Sequence, residues 1–167
     1  MTLRVSILTI SDRSFSGARD DISGPALTDY AQKLGWKVIY TKILPDEVEK
    51  IKQTLIEQAS SGAIDLIITT GGTGFAPRDN TPEATLAVIQ KRTPGLVEKM
   101  RMESSIRNPH AILSRSEAGI RDKCLIINLP GNPTGALESL EIITPVLPHA
   151  ISLMRQSVDS ESGHKLM

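Results

Sequence analysis

Four runs of apolar, largely β-branched residues recur along the chain, at 3–10, 36–42, 65–70 and 124–129. The third and fourth are almost unbroken, as strands covered on both faces should be. Between the runs, apolar positions fall at helical spacing. Over 25–34 the residues Leu27, Tyr30, Ala31 and Leu34 share a face, and over 47–59 Val48, Ile51, Leu55 and Ala59 do the same. Thr81-Pro82-Glu83 opens another helix with proline at its first position. Further helices fit 94–106, 134–143 and 146–154. Strands alternating with helices predict an α/β fold, a three-layer sandwich with a mostly parallel sheet and helices on both faces. Residues 111–123 break the alternation. Ile112 to Ser116 reads as a short strand and Glu117-Ala118-Gly119 as a turn back toward Cys124, which predicts a small antiparallel piece. Repeats, low-complexity tracts and linkers are absent, so one domain is expected over 3–155, followed by a polar, flexible tail at 156–167.

Composition narrows the function classes. A chain of 167 residues can bury a core without metals or disulfides. Its 19 basic and 19 acidic residues cancel, which removes any long-range pull toward nucleic acid or an anionic membrane. With 3% aromatics a base-stacking surface is not expected either. The single cysteine, Cys124, lies in an apolar run and reads as a small buried hydrophobe rather than a catalytic thiol. The N-terminus enters a strand-like segment directly, and no apolar stretch approaches the ~18 residues of a membrane helix. The expectation is a soluble, cytoplasmic protein. His110, His149 and His164 show no metal-ligand spacing.

Ligands of open parallel sheets bind beyond the carboxyl ends of the strands. The segments leaving the four runs are Ser11-Asp12-Arg13, then Leu44-Pro45-Asp46-Glu47, then the stretch from Thr70 to Thr81, then Asn128-Leu129-Pro130-Gly131-Asn132-Pro133. Parallel strands would bring all four to one edge. Gly71-Gly72-Thr73-Gly74 permits close backbone approach, and its amides can form an anion-binding concavity backed by the helix start at Thr81. The alternative is a glycine-rich turn that only joins strand to helix. GxxxxGK[ST] is absent, as is GxGxxG after the first run, so this is neither a P-loop nor a usual dinucleotide fold. Arg78 could balance phosphate charge or be solvated surface. Asp12, Asp46 and Asp79 beside phosphate suggest Mg²⁺, which takes one or two carboxylates plus substrate oxygens. Equally, Asp46 could cap the following helix and Asp12 could stabilise a turn.

The stretch Thr70-Gly-Gly-Thr-Gly-Phe-Ala-Pro-Arg-Asp-Asn-Thr-Pro-Glu-Ala84, followed by Ile127-Asn-Leu-Pro-Gly-Asn-Pro133, resembles the MogA/MoaB family of molybdenum cofactor biosynthesis, with the G domains of plant Cnx proteins and animal gephyrin. Ile10-Ser-Asp-Arg13, Leu44-Pro-Asp46, Thr93-Pro-Gly95 and Leu113-Ser-Arg-Ser116 support it. The resemblance implies an adenylyltransferase that uses ATP, molybdopterin and Mg²⁺ and releases pyrophosphate. It also implies a homotrimer and a partner of the same pathway that inserts molybdenum. By the same analogy Asp46 and Asp79 are catalytic and hold Mg²⁺. Gly71, Gly72, Thr73 and Gly74 cradle phosphate, and Ser104, Asn128, Pro130, Gly131 and Asn132 bind ligand. Ser11, Asp12, Arg78 and Thr81 belong to the same substrate-binding set. Asn80 stands where many members carry valine or another apolar residue. Rival readings are a pterin-binding protein without efficient turnover, a pyrophosphatase of the CinA type, and a non-enzymatic oligomeric scaffold.

Overall fold

The computed structural model describes residues 1–155, so the 156–167 tail and His164 lie outside the described residues. Its elements in chain order are β1 (Arg4–Ile10), α1 (Asp12–Phe15), α2 (Ser23–Lys33), β2 (Lys37–Leu44), α3 (Val48–Ser60), β3 (Leu66–Thr70), α4 (Thr81–Val88), β4 (Lys91–Arg92), α5 (Pro94–Arg107), β5 (Ala118–Arg121), β6 (Cys124–Leu129), α6 (Pro133–Ile143) and α7 (Leu147–Met154). Two short 3₁₀ helices cover Pro109–Leu113 and Thr144–Val146. The strands form one sheet in the order β2-β1-β3-β6-β5-β4. The first four are parallel, while β5 runs against β6 and β4 against β5.

Two-residue alternation sorts the buried strand residues onto two faces. Val5, Ile7, Leu66, Ile68, Leu125 and Ile127 pack with Leu27 and Ala31 of α2, Met100 of α5, Leu140 of α6 and Ile151 of α7. Leu8, Ile10, Ile67 and Ile126 face the other way, against Ile51 and Leu55 of α3 and Ala84 and Val88 of α4. This is the expected three-layer sandwich. Cys124 is fully buried, and burial together with the nearby Asp65 charge pushes its thiol up to about 12, as suits an inert core residue. No helix among the described residues is long and apolar enough to cross a membrane.

The antiparallel piece is present but displaced from its expected position. The Ile112 to Ser116 stretch is not a strand. Pro109 starts a 3₁₀ turn capped by the Asn108 side chain, which accepts from the His110 N–H at 3.1 Å. The strand is Ala118–Arg121, and the turn to β6 is made at Asp122, with φ of +53°. Gly119 suggested a turn, yet it sits inside β5 for a packing reason. A Cβ there would lie 2.5 Å from Ile89 Cδ1 and 2.7 Å from the Lys91 carbonyl.

The order of the sheet places the switch point between β1 and β3. Their connections leave in opposite directions, one to β2 and the other, through α4, to the β4–β5–β6 side. A crevice therefore opens beyond the carboxyl ends of β1, β3 and β6.

Candidate active site

Backbone conformation shapes this crevice first. Gly71 leaves β3 at φ of +101°, and a Cβ there would lie 2.3 Å from the Ile10 carbonyl oxygen. Gly72, at φ of +67°, lies against Thr81 and Asp46, where a Cβ would meet Thr81 Oγ1 at 2.3 Å. The loop is locked underneath. Thr81 is fully buried, and its hydroxyl donates to the Gly71 carbonyl at 2.9 Å while its N–H donates to the Gly72 carbonyl at 3.1 Å. The Gly71 N–H donates to Leu129 at 3.2 Å, and the Thr70 hydroxyl to Pro130 at 2.6 Å. Gly71→Ala is expected to cost about 2 kcal/mol, since strain at a left-handed position adds to a backbone clash. A denaturant titration that finds wild-type stability would show that the loop has room to relax.

Asp12 and Asp46 form a reciprocal pair. The Asp12 N–H donates to the Asp46 carboxylate at 2.8 Å, and the Asp46 N–H donates to the Asp12 carboxylate at 3.0 Å. Asp46 therefore does not cap α3. The N-cap is Glu47, without a side-chain hydrogen bond, and the Asp46 carboxylate faces the β1 loop instead. Asp12 also takes the Arg78 guanidinium, with Nε at 2.5 Å and Nη2 at 3.1 Å. Arg78 and the Asp46 N–H hold the Asp12 carboxyl below its usual range. Burial pushes Asp46 the other way, above the usual carboxylate range, and the charges of Asp12 and Asp79 add to it against the Asp12 N–H. Asp79 accepts from the Ala76 N–H at 3.0 Å.

Two cavities meet here. One of about 600 Å³ is lined by Asp12, Asp46, Asp21, Ser23, Gly71 and Ser11, whose hydroxyl also caps α1. The other, of about 650 Å³, is lined by Thr73, Gly74, Val97, Met100, Ser104 and Pro130. Gly72, Asp79, Gly131 and Asn132 border both. Ser104 Oγ is buried without a hydrogen-bond partner among the described residues. Both volumes suit a small-molecule ligand.

Three of the residues singled out from the sequence do not line either cavity. Arg78 is exposed and paired to Asp12, and Thr81 lies beneath the glycine loop. Asn128 is fully buried. Its amide donates to Thr69 Oγ1 at 3.0 Å and Thr85 Oγ1 at 2.8 Å, and its carbonyl accepts from the Glu117 N–H at 3.1 Å. It ties β6 to β3, α4 and the start of β5, with no donor left for a ligand. Asn80 donates to the Arg78 carbonyl at 3.3 Å. Several wall residues had not been singled out. Asp21 accepts from Thr9 Oγ1 at 2.7 Å and the Gly24 N–H at 3.0 Å, and Ser23 donates to the Gly131 carbonyl at 2.7 Å. Their only trace in the sequence is a polar loop before a helix. His110 lines the larger cavity. Among the described residues no group of three or more His, Cys, Asp or Glu is gathered closely enough to hold a metal ion unaided. Asp46 and Asp79 both border the smaller cavity, close enough for the Asp79 charge to act on Asp46.

Residues 6–149 match the family model described as "Probable molybdopterin binding domain". A molybdopterin adenylyltransferase of Helicobacter pylori is 44% identical over 155 residues, which is 92% of this chain and 88% of that protein. The molybdopterin biosynthesis enzyme MoaB of Thermus thermophilus superposes with a TM-score of 0.88 at 46% identity, over 93% of this chain and 98% of that one. The tungsten cofactor synthesizing protein MoaB of Pyrococcus furiosus does so at 0.84 and 31% identity, over 93% and 98%. With a family model covering most of its length and a crevice built from the motifs that mark the family, this chain belongs to the molybdopterin-binding domain family of cofactor biosynthesis.

Proposed function

We propose that the chain is a molybdopterin adenylyltransferase, which transfers AMP from ATP to the terminal phosphate of molybdopterin and releases pyrophosphate. The observation that carries this is the meeting of two ligand-sized cavities at Gly72 and Asp79. The larger, with Val97, Met100 and the unpartnered Ser104 hydroxyl, suits the flat heterocycle of a pterin. The smaller, with glycine-loop backbone and carboxylates, suits a nucleotide triphosphate. The attacking phosphate oxygen forms a bond to the α-phosphorus as the bond to the β-phosphate bridging oxygen breaks, so charge moves onto pyrophosphate. Such transfers need positioning and charge stabilisation more than covalent help. Mg²⁺, when bound, would neutralise phosphate charge and orient the leaving group. Asp46 and Asp79 would hold it, while the glycine amides orient the phosphates. Arg78 sits one residue from Asp79 and gives Asp12 a counter-charge before any ligand arrives. The same reading carries a cytoplasmic location, a homotrimer and delivery to a molybdenum-inserting partner. Exposed Met102, Ile106 and Ile112, on α5 and the 3₁₀ turn after it, support a subunit contact.

Binding experiments test the assignment. Mn²⁺ as a spectroscopic stand-in, with a non-hydrolysable ATP analogue, should be lost as pH falls through the raised pKa of Asp46, above the range of an ordinary carboxylate. Asp46→Asn should weaken Mn²⁺ binding and remove that step. An unchanged pH profile in the variant would take Asp46 out of the metal site. Ile22→Trp, on the wall of the smaller cavity, should block the analogue and spare the pterin. Loss of pterin alone would reverse the assignment of the cavities.

A further inference from the structure

Asp46, Asp79 and the glycine loop have roles in this reading, but Arg115 has none. It follows the Pro109–Leu113 turn and lies between Ser114 and Ser116, both on the wall of the larger cavity. Its N–H donates to the Thr73 carbonyl at 2.8 Å. Its guanidinium donates from Nε to the Gly74 carbonyl at 2.8 Å and from Nη2 to the Asp79 carbonyl at 2.6 Å, and it pairs with the Glu83 carboxylate in the first turn of α4. One side chain thus grips both ends of the loop from Gly74 to Asp79. Within that loop Phe75, Ala76, Pro77 and Arg78 are exposed. The two bonds that close it internally both join Ala76 and Asp79. The Asp79 N–H donates to the Ala76 carbonyl at 2.9 Å, and the Ala76 N–H donates to the Asp79 carboxylate. The loop therefore folds as a unit, and Arg115 anchors that unit to the cavity wall. A planar guanidinium reaches three separate acceptors at fixed angles, whereas an ammonium offers one point charge on a flexible stem.

We propose that Arg115 is a positioning residue for adenylyl transfer. It couples the wall of the larger cavity to the aim of the Asp79 carboxylate. The kinetic consequence rests on the adenylyltransferase reading, while the anchoring of the loop stands on the geometry alone.

The test combines rates with hydrogen exchange on the full chain. A displacement of ~1 Å can cost about 100-fold in rate. Arg115→Ala and Arg115→Lys should each lose about that much in kcat while KM for ATP and pterin affinity change little. Amides of Ala76 and Asp79 should exchange faster in both variants. Methylguanidinium should restore part of the rate of Arg115→Ala and none of that of Asp79→Asn. Glu83→Gln, which removes only the ion pair, should lose far less. Full rate in Arg115→Ala, a loss confined to KM, or unchanged exchange at those two amides would each overturn the proposal. If the alanine variant does not fold, the lysine variant decides, since it keeps the charge and removes the fork. Absence of product with the wild-type chain would defeat the adenylyltransferase reading, and the exchange measurement would still settle whether Arg115 anchors the loop.

Discussion

Asp79→Asn should lower the rate of adenylyl-molybdopterin formation by about 100- to 1,000-fold, the size of effect seen when a group aimed at transition-state charge is removed. The asparagine keeps an oxygen for the Ala76 N–H, so the loop should hold its shape. It loses the negative charge at the point where the two cavities meet. Pterin binding should therefore survive while kcat and kcat/KM fall together, as expected for an interaction made mainly in the transition state. Equal losses of pterin affinity and rate would make Asp79 a binding or folding residue.

The largest stability effect should come from the opposite end of the sheet. Asp65 is 2% exposed and gathers two guanidiniums. Arg4 donates to it from its backbone N–H and Nη2 at 2.8 Å and from Nε at 3.1 Å, and Arg155, just past α7, donates from Nε at 3.0 Å. Burial alone would push the carboxyl up, but the bonds from Arg4 and Arg155 outweigh it and hold it at about 2. Against the ordinary 3.8 that shift corresponds to roughly 2 kcal/mol, with the partly exposed arginines discounted for screening. Asp65→Asn should therefore cost about 2–3 kcal/mol at neutral pH. Because the folded pKa is depressed, the contribution is complete above the unfolded value and disappears as pH falls from about 4 toward 2. Urea melts of both proteins across that range should converge at the acid end. A constant difference down to pH 2 would assign the effect to packing rather than charge.

Three of the four parallel strands were legible because β1, β3 and β6 are buried on both faces and their apolar runs have few other uses. The crevice was legible for a related reason, since glycine and aspartate at the ends of those strands have a restricted conformational role. Legibility ended where a residue's role depends on a distant segment. Gly119 looks like a turn until Ile89 and Lys91 are seen packed on it. Asp46 looks like a helix cap until the Asp12 N–H is found 34 residues away in sequence. Asn128 belongs to a conspicuous motif, yet its amide is used inside the core. Arg115 lies in the Leu113-Ser-Arg-Ser116 stretch that supported the resemblance, yet its role was hidden, because its acceptors lie 36 and 41 residues back along the chain. Local pattern fixes elements, whereas the cross-chain hydrogen bonds that aim a site emerge only with the tertiary fold.

The most direct test is a single-turnover reaction of the purified chain with molybdopterin and Mg-ATP, following adenylyl-molybdopterin and pyrophosphate together. The account predicts that both appear in equal amounts, require Mg²⁺, and all but vanish in Asp79→Asn. Tight pterin binding with no product, or product that Asp79→Asn forms at the wild-type rate, would contradict it.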